Sequence, residues 1–290
     1  MDGGVHVHGE RVADALDADV LVKRIRVAVL GQHADVALAV DHLVVAGGVV
    51  GHVGVRDVLD VPNHAVKNLS HFHVGVVVYR DHLGTRAVLA HVVGDLAQAT
   101  GPFAPNDWSD LLQYLPTKRE QEVIGLTVGY RIPAQIMSLA DKVMLEAAPS
   151  LRAPKSVREG DFGPDIVEVK SGGDLLDAVI EQAKILLTNV GEGNVAIVCP
   201  DDMTDAVDGA LTAAGVAHGR ANTTALDSRL TVVPVSVVKG LELDGVLVVE
   251  PARIVASQVH GLRALYVALT RSTQRLTIVH SEPLPPSMQS

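Results

Sequence analysis

Four short stretches of the chain place charged or amide side chains beside apolar segments. In chain order they are VVGDLAQATGPF, LTVGYRIPAQIM, VVKGLELDGVLVVE and LRALYVALTRSTQRL. Two of them supply the arginines of interest, Arg131 and Arg271. The guanidinium group is planar, stays charged and can grip a phosphate through two parallel hydrogen bonds. Residues of this type suit phosphoryl transfer, in which positioned cations stabilise the charge on the phosphate oxygens.

The elements that must position these residues are alternating strands and helices. Asn106 or Asp107 can cap a helix that carries Trp108, Pro133 opens a second helix and Asp174 caps a third. The segments DAVDGALTAAG and LRALYVALTRS have helical spacing, and apolar runs predict strands at VVGD, EVIGLTV, DIVEV, NVAIVC, LTVVPVSV, GVLVVE and RLTIVH. Continuous apolar strands between helices favour a mainly parallel sheet covered on both faces. The predicted class is α/β.

In this order the four stretches resemble motifs III, IV, V and VI of the UvrD/Rep-type superfamily 1 helicases, over residues 92–280. The resemblance implies a RecA-like second motor domain at 120–285, with 91–119 as a remnant of the first motor domain. It also implies ATP with Mg²⁺ as the cofactor of the complete motor and nucleic acid as its partner.

Three residues would act on the γ-phosphate by this resemblance. Arg131 and Arg271 would be its two arginines, and Gln98 would be the glutamine that senses it. The alternatives are structural. Arg131 would be a surface cation at a helix start, which the helix dipole disfavours, whereas the dipole favours Arg271 at a helix end. Gln98 would be a solvated loop amide.

Four more residues would contact the nucleoside. Tyr130 resembles the aromatic residue that stacks on adenine, and Glu242 resembles the glutamate that accepts a hydrogen bond from the ribose. Lys239 and Gly240 form the turn before Glu242. The alternatives are a core tyrosine for Tyr130 and an ordinary glycine turn between two strands for the other three.

The chain departs from the family pattern at two places. It has Gly-Tyr-Arg-Ile at 129–132, where many members have Asn-Tyr-Arg-Ser, and Pro-Val-Ser at 234–236, where repair helicases carry Thr-x-His. The Pro-Val pair and GDLAQATGPF look more like the helicase-like branch known as HelD. That branch implies RNA polymerase as a partner.

A P-loop NTPase holds its phosphates with GxxxxGK[ST] and its Mg²⁺ with that Ser/Thr and an acidic strand end. The glycine-rich run AGGVVGHVG has no lysine, and no acidic tetrad precedes VVGD. Without Walker A and Walker B motifs, we expect the C-terminal portion of an ATP-dependent DNA helicase or translocase, inactive alone because the first motor domain is missing. The alternative is a non-catalytic module that docks on RNA polymerase or nucleic acid.

Residues 1–90 have a different composition from the rest. Residues 1–91 contain ten of the 13 histidines and 23 valines but one Glu, one Ser and one Thr. Valine runs could supply strands, although a non-native reading of a rearranged GC-rich gene would give the same bias. The i, i+2 pairs His6/His8 and His71/His73 could ligate zinc, but the histidine excess explains them equally well, and we assign no metal site.

Charge and composition exclude several classes of protein. A net charge of −10 argues against coating nucleic acid through bulk electrostatics. The 48% hydrophobic and 20% charged content indicates a folded chain rather than a disordered one. The single cysteine favours a reducing compartment, and neither a membrane span nor a signal peptide is visible. We expect a cytoplasmic protein.

Overall fold

The computed structural model describes residues 21–29, 43–45, 49–51, 73–80, 86–101, 104–112, 121–151, 154–170, 174–221 and 228–289. The chain divides into two compact units. The first comprises Met1–Leu96 and Phe103–Leu126, and the second Ala97–Pro102 and Thr127–Ser290.

The first unit contains a mixed six-stranded sheet. Its strands are β1 (Leu21–Val29), β2 (Leu43–Val45), β3 (Val49–Gly51), β4 (His73–Arg80), β5 (Arg86–Gly94) and β6 (Gln121–Gly125), in the order β3-β2-β4-β5-β1-β6. Strand β1 pairs in parallel with β5 and β6, while β4 pairs antiparallel with β5. The valine runs near the N-terminus therefore supply strands, as their propensity predicts. A short helix, α1 (Trp108–Leu112), follows Asp107, whose Oδ1 accepts the Ser109 N–H at 2.8 Å.

The second unit is built on a six-stranded parallel sheet. Its main strands are β9 (Asp165–Glu168), β10 (Val195–Cys199), β11 (Gly219–Arg220), β12 (Leu230–Pro234), β13 (Leu243–Val249) and β14 (Ser272–His280), and a two-stranded ribbon joins β7 (Val128–Gly129) to β8 (Lys155–Ser156). The order is β11-β12-β10-β13-β14-β9, with every pair parallel. The helices are α2 (Ala134–Ala147), α3 (Leu175–Val190), α4 (Thr204–Ala213), α5 (Pro251–Ser257) and α6 (Gly261–Leu269).

Helices cover both faces of this sheet because successive strand residues point to opposite sides. In β10, Val195 and Ile197 pack with α3 and α4, whereas Ala196 and Val198 pack with α2 and α6. All five residues of β10 are buried. The predicted α/β class, with helices on both faces of a parallel sheet, is confirmed.

Several predicted element ends are confirmed and others shift. Asp174 Oδ1 accepts the Leu176 N–H at 2.8 Å and caps α3. Pro133 lies one residue before α2 as its N-cap rather than inside the first turn. The strand predicted from LTVVPVSV ends at Pro234, and Val235–Val237 form a 3-10 turn. Proline has no N–H to donate to a sheet, which explains the early end.

In the described part of the chain, no helix is long and apolar enough to cross a membrane. The same residues hold no cluster of three or more His, Cys, Asp or Glu that could bind a metal ion. Of the histidines considered for zinc, His6, His8 and His71 lie outside the described residues. His73 is described only as part of the backbone of β4.

Candidate functional site

Glu242 and Arg271 meet at the amino ends of two neighbouring strands. Glu242 directly precedes β13 and Arg271 directly precedes β14. Leu243 lies opposite Ser272 in the parallel register, and the Leu243 N–H donates to the Arg271 carbonyl at 3.1 Å. The two residues are therefore adjacent, although 28 positions separate them in the sequence.

The Arg271 side chain is buried and bound through all three guanidinium nitrogens. It follows α6, and the residue is 4% exposed. Nε donates to the Val267 carbonyl at 3.1 Å, Nη1 to the Leu241 carbonyl at 3.3 Å and Nη2 to Gln98 Oε1 at 3.1 Å. A buried charge is tolerated only with such partners. The bond to the Val267 carbonyl is what the structural alternative, a cation at a helix end, predicts for Arg271. The bond to Gln98 is not part of that alternative.

Arg131 is held beside it by a carboxylate and a carbonyl. Its Nη1 forms an ion pair with Glu242 Oε1, and its Nη2 donates to the Thr270 carbonyl at 3.3 Å. The side chain is 12% exposed, whereas that of Glu242 is 54% exposed. Arg131 is therefore not the surface cation that the alternative predicted.

The two arginines contact the same two segments. Arg131 contacts the Glu242 side chain and the Thr270 carbonyl. Arg271 contacts the carbonyl of Leu241, the neighbour of Glu242, and directly follows Thr270 in the chain. Two guanidinium groups thus converge on the turn before β13 and the end of α6. Convergent guanidinium groups favour an anion with several oxygens.

Gln98 reaches this cluster from a 3-10 turn at Leu96–Gln98. The segment is fixed by Arg263 of α6, whose Nη1 donates to the Ala99 carbonyl at 3.3 Å. Arg263 is 4% exposed and lies in α6, eight residues before Arg271 in the chain. Sequence reasoning missed Arg263. The signal that could have found it is an arginine eight residues before Arg271 in an otherwise apolar helix.

A second segment, 155–160, holds the backbone around Arg131. Arg158 Nη1 donates to the Arg131 carbonyl at 2.7 Å, and the Arg158 carbonyl accepts the Ala134 N–H at 2.8 Å. Ser156 Oγ donates to the Ile132 carbonyl at 2.5 Å. These bonds fix the bend between β7 and α2, from which the Arg131 side chain projects.

Tyr130 directly follows β7, and its side chain is exposed. Its exposure is 55%, which makes the core-tyrosine alternative wrong. Val128 on the same strand is 57% exposed, and Val157, whose N–H donates to the Gly129 carbonyl at 2.9 Å, is 63% exposed. Because alternate residues of an extended segment share a face, we expect these three exposed side chains to form an apolar platform next to Arg131. A flat apolar platform can stack against a ring.

The turn before Glu242 has the glycine that the sequence predicts. Gly240 has φ 85°, a left-handed conformation that costs glycine little. Lys239, Gly240 and Glu242 are exposed, while Leu243 is buried at the start of β13. The ordinary-turn alternative therefore describes the backbone correctly, but it does not account for the ion pair of Glu242 with Arg131.

The structure brings together Gln98, Arg131, Glu242 and Arg271 through side-chain contacts and places Tyr130 next to Arg131. Four residues from four separate segments would not converge by local sequence preference alone. The arrangement offers cations and an amide donor for an anion, with an apolar surface beside them. It suits a phosphorylated ligand that carries a ring.

No protein-family model and no curated protein matches the chain. Solved structures do match. One is the crystal structure of the C-terminal domain of a possible DNA helicase from Lactobacillus plantarum. It is 25% identical, with a TM-score of 0.45, and the match covers 56% of this chain and 92% of that chain.

Proposed function

We propose that the second unit contributes the γ-phosphate arginines and nucleoside contacts of an ATP-driven UvrD-like helicase or translocase. The observation that carries this proposal is the linked cluster of Gln98, Arg131, Glu242 and Arg271. These are the residues that the motif resemblance selects from four separate stretches. Their convergence supports the assignment because residues that act on one nucleotide must lie close together in the fold.

The described residues fit a nucleoside triphosphate in part. Arg131, Arg271 and Gln98 would bind the γ-phosphate, and Tyr130 would stack on the base. Mg²⁺ neutralises the phosphate charge in the complete motor. The sequence has no GxxxxGK[ST] to supply the Ser/Thr that holds this ion, and no acidic tetrad precedes VVGD. We therefore propose that the chain alone does not hydrolyse ATP.

The proposal is tested by supplying what the sequence lacks. The purified chain should show no ATP turnover above background, with or without single-stranded DNA. A chimera that joins the second unit to the P-loop domain of a UvrD-type helicase should regain turnover. If the purified chain itself hydrolyses ATP at about 1 per second or faster, in the usual range for enzymes, the proposal is wrong.

A second candidate function is a non-catalytic module that docks on nucleic acid or RNA polymerase. The internal bonds of both arginines favour it, because a cluster satisfied by its own chain needs no ligand to be stable. The chimera separates the two candidates, since a module without a nucleotide role would stay inactive even with a P-loop domain attached.

A further inference from the structure

We infer that Glu242 takes the place of a phosphate oxygen on Arg131 when no nucleotide is bound, so that a triphosphate must displace it. The inference rests on the proposed function and concerns the regulation of the same site. It predicts that an acidic residue of the site weakens, rather than strengthens, the binding of the phosphate chain.

The contact itself has the chemistry of a phosphate clamp. Arg131 Nη1 pairs with Glu242 Oε1, an oxyanion bound to guanidinium in the manner of a phosphate oxygen. A phosphate that approaches Arg131 meets this carboxylate first. Two anions cannot share one guanidinium nitrogen without repulsion, so one of them must leave.

The two partners are held with unequal firmness. Arg131 is 12% exposed, its Nη2 donates to the Thr270 carbonyl, and its own carbonyl is held by Arg158. Glu242 is 54% exposed and follows a glycine turn. The arginine is therefore fixed, and rotation of the glutamate side chain into solvent is the easier movement.

Displacement would exchange the partners of both residues. The phosphate would take Arg131, and the released carboxylate of Glu242 would become free to accept a hydrogen bond from a ribose hydroxyl. Glu242 therefore weakens the binding of an inorganic polyphosphate, which has no ribose. When the ligand is a nucleotide, the hydrogen bond from the ribose to Glu242 partly compensates for this loss of affinity. A polyphosphate without a nucleoside therefore measures only the competition between the Glu242 carboxylate and the phosphate for Arg131.

The test is calorimetric titration of the purified 290-residue chain with inorganic tripolyphosphate at low salt. Glu242→Gln should bind it more tightly than the wild type, by up to about fivefold, which is the range for a half-exposed ion pair. Glu242→Asp keeps the charge but shortens the side chain, and it should also gain affinity. Glu159→Gln is the control for the loss of one negative charge, because Glu159 is an exposed carboxylate next to Arg158 in the chain. This variant should bind tripolyphosphate with the affinity of the wild type. In Arg131→Gln/Glu242→Gln the gain should disappear.

Two outcomes contradict the inference in different ways. If Arg131→Gln weakens tripolyphosphate binding but Glu242→Gln and Glu242→Asp do not strengthen it, the phosphate site stands and the displacement is wrong. If Arg131→Gln and Arg271→Lys both bind as the wild type does, the phosphate site is wrong as well, and the proposed function loses its support.

Discussion

Replacement of Arg271 by methionine should lower the free energy of unfolding of the second unit by about 3 kcal/mol. The guanidinium donates to the Val267 and Leu241 carbonyls and to Gln98 Oε1. Each bond to a charged donor contributes about 1 kcal/mol or more. Methionine refills part of the volume because it is long and flexible, so lost hydrogen bonds dominate the effect.

Urea unfolding followed by circular dichroism measures this loss. With a slope of about 2 kcal/mol per molar urea, the midpoint should fall by about 1.5 M. Arg253→Met is the matched control, because Arg253 pairs with Asp202 through side chains that are 39% and 63% exposed. Such a surface pair contributes less than about 1 kcal/mol. A loss below 1 kcal/mol for Arg271→Met would refute the view that this arginine is held by the protein interior.

Three further predictions concern other residues of the second unit. Tyr130→Ala should leave the melting temperature nearly unchanged, because the side chain is exposed. In the chimera it should weaken ATP binding about tenfold by titration, as loss of a stacking contact does; a large loss of stability with unchanged affinity would contradict the platform. Burial raises the pKa of Asp141 from 3.8 to about 6, so stability should fall as pH rises from about 4 to about 6. Asp141→Asn should remove this slope and, allowing for partial exposure, stabilise the unit by about 1 kcal/mol at pH 7.5; urea midpoints at both ends of the range decide it. At Gly261 a Cβ would lie 1.9 Å from the Val255 carbonyl oxygen, so Gly261→Ala should cost about 2 kcal/mol or more in a thermal melt, and an unchanged melt would contradict this close approach of α5 and α6.

The main elements of the second unit could be predicted because their signals are local. Strand β10 and residues 245–249 of β13 are continuous apolar runs buried on both faces, and such runs identify a parallel sheet. Helix α5 was missed because seven residues are too few to show a helical period. The end of β12 was misplaced because valines continue past Pro234 in the sequence.

The candidate site was only partly predictable. The motifs selected Gln98, Arg131, Glu242 and Arg271, and the structure brings these residues together. Their partners could not be predicted, since the Arg131–Glu242 pair and the Arg271–Gln98 bond join residues far apart in the chain. Arg263 was missed for the same reason. An arginine on a helix is usually exposed, whereas this one is buried and donates to the Ala99 carbonyl, 164 positions away in the chain.

The most direct test of the proposed function is the rate of ATP hydrolysis by the chimera with and without its two arginines. Arg131→Ala and Arg271→Lys should each lower turnover by about 10³-fold, the scale of arginine fingers in other nucleotide hydrolases. Thermal melts of the same proteins must show folded protein at the assay temperature, and the Arg253→Met chimera should turn over ATP at the parent rate. Equal turnover in the parent and in a folded Arg131→Ala/Arg271→Lys double variant would contradict the assignment of these residues to the γ-phosphate.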